Sequence, residues 1–563
     1  MKKVIASILK EALKKEKIKL SEEELIKMIE IPPTTEMGDF AFPCFAFSKQ
    51  LKMSPTEIAF NFRKHIGDVP KGFEDVQLKG PYINFFIDRK NLTRILIQEI
   101  LKQKNNFGKN NSGEGKRILV EFSSPNIAKP FGIGHLRSTL IGNSISNISE
   151  FNGYKTIKVN YLGDWGTQFG KLIFAFKKWG DEKKFKKNPV KHLYELYIKA
   201  NKKIYEEKAR SEFLRLEKGD NTNLSLWKKF KEISVDDFEK IYSKLDVQFD
   251  VYLGESRYEE KMKEVIQLLK EKKLLEESEN ALVVNLEKYN LGVALIQKSD
   301  GATLYATRDL ASAISRYEEY KFDKMFYEVG QEQILHLKQV FKILELLGYP
   351  WAKECVHIYH GLYLDSDGKK FATRKGKTVF MEDILKETIS LTSKEIKKRE
   401  PKISEKKLKQ RASKVANAAI IYGDLKNNRT NNIIFDIKRF VSLEGDTGPY
   451  LLYSYARANS ILNKIKTKPK KLIVDNLEEK EFELTKKLSD FQKVVQDAYQ
   501  NLNPSLIANY SYQLSQIFNE FYHSCPVIGS KEKEGFRIAL VACFAQVLKN
   551  ALYLLGIETL EKM

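Results

Sequence analysis

Apolar residues in the first twenty positions, MKKVIASILKEALKKEKIKL, recur at helical spacing between lysines. The pattern predicts an amphipathic surface helix, and the absence of a small-residue cleavage site argues against a leader peptide. A loop, PPTTEMGDFAFP, and another helix follow, and GPYINFFID at residues 80–88 reads as a strand. Residues 102–116, KQKNNFGKNNSGEGK, carry no apolar period and are rich in Asn, Gly and Lys, which marks a linker.

Beyond the linker the pattern changes. RILVEFSS, residues 117–124, is a short apolar run and predicts a buried strand. HLRSTLIGNSISNISEFNGY then has helical spacing and closes at Asn152-Gly153, a C-cap. KTIKVNYLGDWG reads as the next strand, so the whole predicts a parallel βαβ unit. Strand and helix patterns alternate again from about 290 to 385, and about 172–285 reads as a helical, lysine-rich insertion. From about 386 nearly every segment is helix-periodic, and no internal repeat is found. The fold expected is multidomain α/β: an N-terminal α+β domain at 1–105, a Rossmann-type parallel-sheet domain at 114–385, and an all-α bundle at 386–563.

Composition sharpens this picture. The 96 Lys and Arg against 74 Asp and Glu leave a net charge of +22. Such an excess favours a polyanionic partner, although a lysine-rich composition at large has the same appearance. The four cysteines, Cys44, Cys355, Cys525 and Cys543, are scattered without C-x-x-C spacing, which points away from a zinc ribbon or disulfide framework and suits reduced thiols in a cytosol. No apolar run approaches ~18 residues and no basic amphipathic anchor is found, so no membrane partner is expected.

The chemistry concentrates in SSPNIAKPFGIGHLRSTLIGN, residues 123–143. A Gly-x-Gly turn, Gly132 and Gly134, at the end of a parallel strand opens a helix whose free N–H groups attract an anion. His135 at the helix start can donate to a phosphate, and Lys129 can neutralise a transferring nucleotidyl group. Far downstream, GKKFATRKGKT at 368–378 gathers Lys369, Lys370, Arg374, Lys375 and Lys377, suited to a pyrophosphate clamp or to a solvated turn.

A Gly-x-Gly-His corner paired with a distant lysine-rich loop resembles the class I aminoacyl-tRNA synthetases. VEFSSPNIAKPFGIGHLRSTLIGN, VNYLGDWGTQFG, SDGATLYATRDLA, VGQEQILHLKQVF, DTGPYLLYSYARANSIL and QVLKNALYLLGIETLEKM are similar to arginyl-tRNA synthetases, over almost the whole chain from GDFAFP to Met563. Two positions depart from the family pattern. Gly132 stands where the first signature usually begins with His, and Lys370-Phe371-Ala372-Thr373 stands where class I enzymes generally have Lys-Met-Ser-Lys. The resemblance implies that Lys129 takes over the missing second lysine's role.

The resemblance also implies an activity: arginine and ATP form arginyl-adenylate, then a terminal ribose hydroxyl of tRNA(Arg) takes the arginyl group. Mg²⁺ accompanies ATP in the family, and activation there requires tRNA. A guanidinium needs a bidentate acceptor. Tyr305 and Asp309, four apart on a helix face, are implied to supply the wall and the ion partner. Glu121 and Asn126 are implied to hold the α-ammonium and orient the substrate, with Gln333 as another contact. ATP is assigned Gly132, Gly134, His135, His360, Gly361 and Phe371, and Lys370, Arg374 and Lys375 join Lys129 and His135 in catalysis. His336 either faces the nucleotide or is a structural histidine. Tyr450 and Tyr453 match anticodon-domain positions, although spacing alone suits a core, and Tyr522 and Met563 are weaker candidates. Tyr82 and Asn84 are the expected base contacts of the N-terminal domain. The expected protein is a cytoplasmic monomer holding no metal of its own. A non-catalytic tRNA-binding relative is the rival, kept open by Gly132.

Overall fold

The alternation near residue 80 is realised as an antiparallel sheet. A computed structural model of the chain describes residues 1–298, 305–369, 379–465 and 474–563, in two units. The first comprises Met1–Lys104, Lys464–Ser489 and Ile517–Phe544. Its strands are β1 (Phe40–Pro43), β2 (Phe73–Lys79) and β3 (Tyr82–Ile87), in the order β1-β3-β2. Helix α1 (Lys2–Lys15) buries Ile5, Leu9 and Leu13, and α2 (Pro55–Ile66) buries Ile58, Ala59 and Phe62 in the same core as Phe42, Ile83 and Phe85. A Ser54–Glu57 capping box and Pro55 start α2, which fixes where that face begins.

The second unit comprises Asn105–Asn463, Asp490–Gln516 and Ala545–Met563. Strand β4 (Arg117–Glu121) is the middle of a parallel five-stranded sheet, and α3 (Leu136–Phe151) follows it. Next come β5 (Lys155–Leu162), the long helix α4 (Asn221–Leu245) and β6 (Val251–Gly254). A small antiparallel sheet, β7 (Glu276–Ser278), β8 (Ala281–Asn285) and β9 (Val293–Gln297), precedes α5 (Tyr305–Tyr320). Then follow β10 (Lys324–Gly330), α6 (Ile334–Leu346) and β11 (Cys355–His360). The order β11-β10-β4-β5-β6 reverses between β4 and β10. A crevice at such a reversal, outside the carboxyl ends of the strands, is where open α/β sheets bind ligands.

The structure revises three expectations. Inside the stretch read as a helical insertion, about 172–285, lie the edge strand β6 and the strands β7 and β8, which are too short to show a period. The helical C-terminal stretch also contributes a strand: β12 (Tyr363–Leu364) pairs in parallel with β13 (Ile433–Ile434), ahead of helix α7 (Gly448–Asn463). The segment Lys531–Leu555 is long and apolar enough to cross a membrane, although 72% of its most apolar window is buried in the protein, as in a core helix.

Candidate active site

Glu121 ends β4, and the chain then turns through three non-glycine residues with left-handed backbone, Ser123, Ser124 and Ala128 (φ 71°, 47° and 60°). Such conformations cost roughly 1–3 kcal/mol each and persist only where the surroundings enforce them. Here the enforcement is visible. Ser123 N donates to Ser138 Oγ (2.8 Å), Ser138 Oγ donates to the Glu328 carbonyl (2.9 Å), and Ala128 N donates to Ser234 Oγ on α4 (2.8 Å). The Ser123 hydroxyl lies 2.7 Å from that of Tyr242, also on α4. The inserted helix therefore braces the turn, through residues more than 100 positions away.

At the turn's end Ile133–His135 forms one 3₁₀ turn leading into α3, and no side chain caps either start. Backbone carbonyls take part of this start: Ile133 N donates to Val379 (3.4 Å), His135 N to Gly132 (3.1 Å) and Leu136 N to Ile133, so what it offers an anion is chiefly the positive end of α3. Burial pushes the His135 imidazole down to about 4, helped by Lys129 and His360 and opposed by a contact with Ser123. His135 is thus a neutral imidazole at ordinary pH. The Lys129 ammonium lies 4.9 Å from the Tyr197 ring centroid, and burial lowers its pKa. Gly134 is exposed with open space around it, and Gly132 is extended (φ −93°) in a bridge with Phe380. A backbone at that φ does not require glycine.

Across the crevice His360, at the end of β11, is buried with Nδ1 2.8 Å from Glu328 Oε1, which fixes its ring. Gly361 N donates to the Arg429 carbonyl (2.9 Å), and a Cβ on Gly361 would lie 2.5 Å from the Asn431 carbonyl, so this position needs glycine for close approach. The expected contacts Lys370, Phe371, Arg374 and Lys375 lie outside the described residues.

The other end of the crevice is acidic. Glu121 forms a buried ion pair with Arg316 of α5. Asn126 bridges to Gly163, where a Cβ would meet its Oδ1 at 2.2 Å. Asp309 faces the same cluster, and its carboxylate lies 2.6 Å from His336 Nε2. His336 therefore pairs with the carboxylate expected to hold a guanidinium, a long-range contact the sequence left open. Tyr305 is 68% exposed, and the Arg308 guanidinium lies 6.0 Å from its ring centroid. Gln333 is exposed at the end of a 3₁₀ turn. Glu255, 3.4 Å from Arg308, was not anticipated: burial raises its carboxyl to about 7, Arg308 opposes the rise, and Asp309 and Asp164 add to it. Arg316 also escaped notice, although it lies seven residues after Asp309 and so on the same face.

The residues expected at RNA are scattered. In the first unit Tyr82 is half-buried, 5.5 Å from the Phe45 ring, Asn84 is 4% exposed, and Tyr522 is exposed. Asn84 thus offers a base little surface, although its neighbours on that face of β3, Tyr82 and Phe86, are half-buried. In the second unit Tyr450 is 5.6 Å from the Tyr512 ring. Tyr453 receives a hydrogen bond from Arg457 (3.2 Å) and lines a cavity of about 230 Å³ with Met563, Arg399 and Ile396. Among the described residues, metal-ligating atoms converge at Glu478, Glu481 and Cys525, where Lys533 and Arg537 already neutralise the carboxylates.

Comparison with known proteins bears on all of this. The family model for the class I (R) tRNA synthetase catalytic domain matches residues 96–437. Those for the arginyl tRNA synthetase N terminal domain and the DALR anticodon binding domain match 3–87 and 451–563. An arginine–tRNA ligase of Clostridium acetobutylicum is 44% identical over 549 residues, covering 96% of this chain and 97% of its own. One from Clostridium perfringens is 44% identical over 562 residues, 98% of each. The solved arginyl-tRNA synthetase of Plasmodium falciparum superposes with a TM-score of 0.79 at 26% identity, over 100% of this chain and 99% of that one. That of Thermus thermophilus superposes with a TM-score of 0.82 over 100% of both chains, a likeness of fold at 22% identity.

Proposed function

The chain belongs to the arginyl-tRNA synthetases, and we propose that arginine binds between Glu121 and Asp309 while ATP lies over the turn from Gly132 to His135. The protein is an arginine–tRNA ligase: it joins L-arginine to tRNA at the expense of ATP. The observation that carries the site reading is that the turn leaving the acid cluster at Glu121 packs on the start of α3, where Thr139 Oγ1 donates to Ser123 Oγ (2.8 Å).

In this reading Asp309 accepts the guanidinium fork, Tyr305 walls it, and Glu121 with Asn126 and Gln333 fixes the amino-acid end. The arginine carboxylate then attacks the α-phosphate in line and pyrophosphate leaves. Neutral His135, Lys129 and the positive end of α3 meet the developing charge, so catalysis is positioning and electrostatics without a covalent enzyme intermediate. His360 and Gly361 border the adenine, and Lys370, Phe371, Arg374 and Lys375 belong to the pyrophosphate side. Mg²⁺ enters with the triphosphate as its counter-ion. Tyr450, Tyr453, Met563 and Tyr522 serve the anticodon, and Tyr82 with Asn84 a second tRNA region. Residues 1–105, 114–385 and 386–563 divide these tasks in a cytoplasmic monomer whose activation step waits for tRNA.

Arginine-dependent ATP–pyrophosphate exchange with and without total tRNA tests the scheme. Exchange only with tRNA is expected. No exchange in either case, with tRNA still bound, would favour the non-catalytic relative and direct attention to Gly132. Calorimetry on Asp309→Ala should show arginine binding lost, and retained affinity would remove Asp309 from the site.

A further inference from the structure

We propose that Arg316 is a positioning residue for the amino-acid substrate, holding the Glu121 carboxylate ionised and aimed so that the α-ammonium of arginine meets a formed anion. This rests on the reading of Glu121 as the ammonium partner. Arg316 is 1% exposed on α5 and Glu121 5% exposed at the end of β4. One guanidinium nitrogen, Nη1, hydrogen-bonds Glu121 Oε2, and the guanidinium carbon lies 4.6 Å from the Tyr161 ring centroid. Its Nε and Nη2 have no hydrogen-bond partner among the described residues, and among them Glu121 is the one carboxylate within ion-pair distance.

A pair serving stability alone is replaceable by apolar residues of like volume, often without loss. Two observations point beyond stability. Glu121 is the residue from which the left-handed turn departs, so its orientation is set where the crevice begins. The surroundings also gather carboxylates: Glu255 and Glu259 lie 3.4 and 4.0 Å from Arg308, and Asp309 acts on Glu121. Carboxylates collected around one crevice suit a substrate that is itself a cation. The titratable and charged groups facing the pair are Asp309 from α5, Tyr161 from β5, Tyr327 from β10, Cys355 from β11, and Tyr258. Burial raises the Glu121 pKa, Arg316 opposes that rise, and Asp309 adds to it.

The test is exchange kinetics with tRNA present, on the full chain carrying Arg316→Met or Arg316→Lys, from about pH 6 to about pH 9. Arg316→Met should raise KM for arginine at least about tenfold at the acid end, and the defect should shrink as rising pH ionises Glu121 unaided. KM for ATP should stay within about twofold. Arg316→Lys keeps a charge and should show a smaller rise, again for arginine only, which decides the matter should Arg316→Met not fold. A parallel rise in both KM values, or an arginine KM without pH dependence in Arg316→Met, overturns the proposal, as does an unchanged arginine KM in Arg316→Lys. Competitive inhibition separates this from the underlying reading. Glu121→Gln should weaken arginine and agmatine but spare 5-guanidinopentanoate, which lacks the ammonium. Equal weakening of all three would refute Glu121 itself, whereas that selectivity with a normal Arg316→Met would refute only the role of Arg316.

Discussion

Two buried arginine–carboxylate pairs occupy the second unit, and they are finished differently. Arg137, early in α3, lies 3.2 Å from Asp424 and donates to the carbonyls of Asn431 (2.7 Å) and Arg429 (3.3 Å). The Tyr363 hydroxyl donates to Asp424, and the Arg137 guanidinium lies 5.6 Å from the Tyr363 ring centroid. That cation is shared among a carboxylate, two carbonyls and a ring, and its Nε and the Asp424 Oδ1 lack a hydrogen bond among the described residues. The Arg316–Glu121 pair is more open, with two guanidinium nitrogens unpartnered among the described residues and Asp309 close by. The same two residue types make a brace where two backbone carbonyls share the guanidinium, and stand at the proposed substrate pocket where a single carboxylate holds it.

The brace gives the largest expected effect. Arg137→Met leaves Asp424 buried without its cation, at 1% exposure, and should cost about 3–5 kcal/mol. Denaturant unfolding measures the loss, and arginine affinity by calorimetry should stay within about threefold where the variant is folded. A change under about 1 kcal/mol would make the two pairs equivalent. Asp309→Asn should show the reverse. Asp309 is 26% exposed, so stability should move by about 1 kcal/mol or less. Arginine affinity should fall by about 2–5 kcal/mol, or from tens of times to several thousandfold. Normal arginine titrations with that variant would place the guanidinium elsewhere.

What the sequence made legible follows from range. The change from strand to helix spacing across 117–152 and the Gly-x-Gly corner are local, and both are present in the fold. Tyr305 and Asp309 needed only the i,i+4 rule, and i+7 would have reached Arg316, whose position inside an apolar helix makes it look structural. Glu255 reaches Arg308 across 53 residues and His336 reaches Asp309 across 27. No local period records such pairings. The burial of Asn84 was hidden for another reason: Ile83, Phe85 and Ile87 form the core face of β3, and Asn84 is buried on the opposite face, between the half-buried Tyr82 and Phe86, where alternation expects surface.

A smaller effect separates the corner from the acid cluster by pH. His135 has its pKa lowered from 6.5 to about 4, chiefly by burial. Between those values the unfolded chain binds a proton that the folded chain does not, so stability rises with pH across the window and is lost on acidification through it. His135→Gln should flatten that part of the stability–pH curve while leaving the neutral plateau. An unchanged slope would mean that His135 is protonated in the fold, and a neutral donor could not then be its role at the phosphate.

The smallest effect concerns the turn that joins the two ends of the crevice. Ala128 has φ 60° and no polar side chain, so it reports backbone strain without a confounding hydrogen bond. Ala128→Gly removes the steric cost of the left-handed conformation but adds freedom to the unfolded chain. The first term should win, with stabilisation of roughly 1 kcal/mol or less. Because Ala128 N is held by Ser234 on α4, the turn should keep its shape and KM for both arginine and ATP should stay near that of the parent. If glycine instead destabilises the protein, the strain relieved at this position is smaller than the freedom glycine adds to the unfolded chain. Bracing by α4 would then serve more to orient Lys129 and Asn126 than to hold a costly conformation in place.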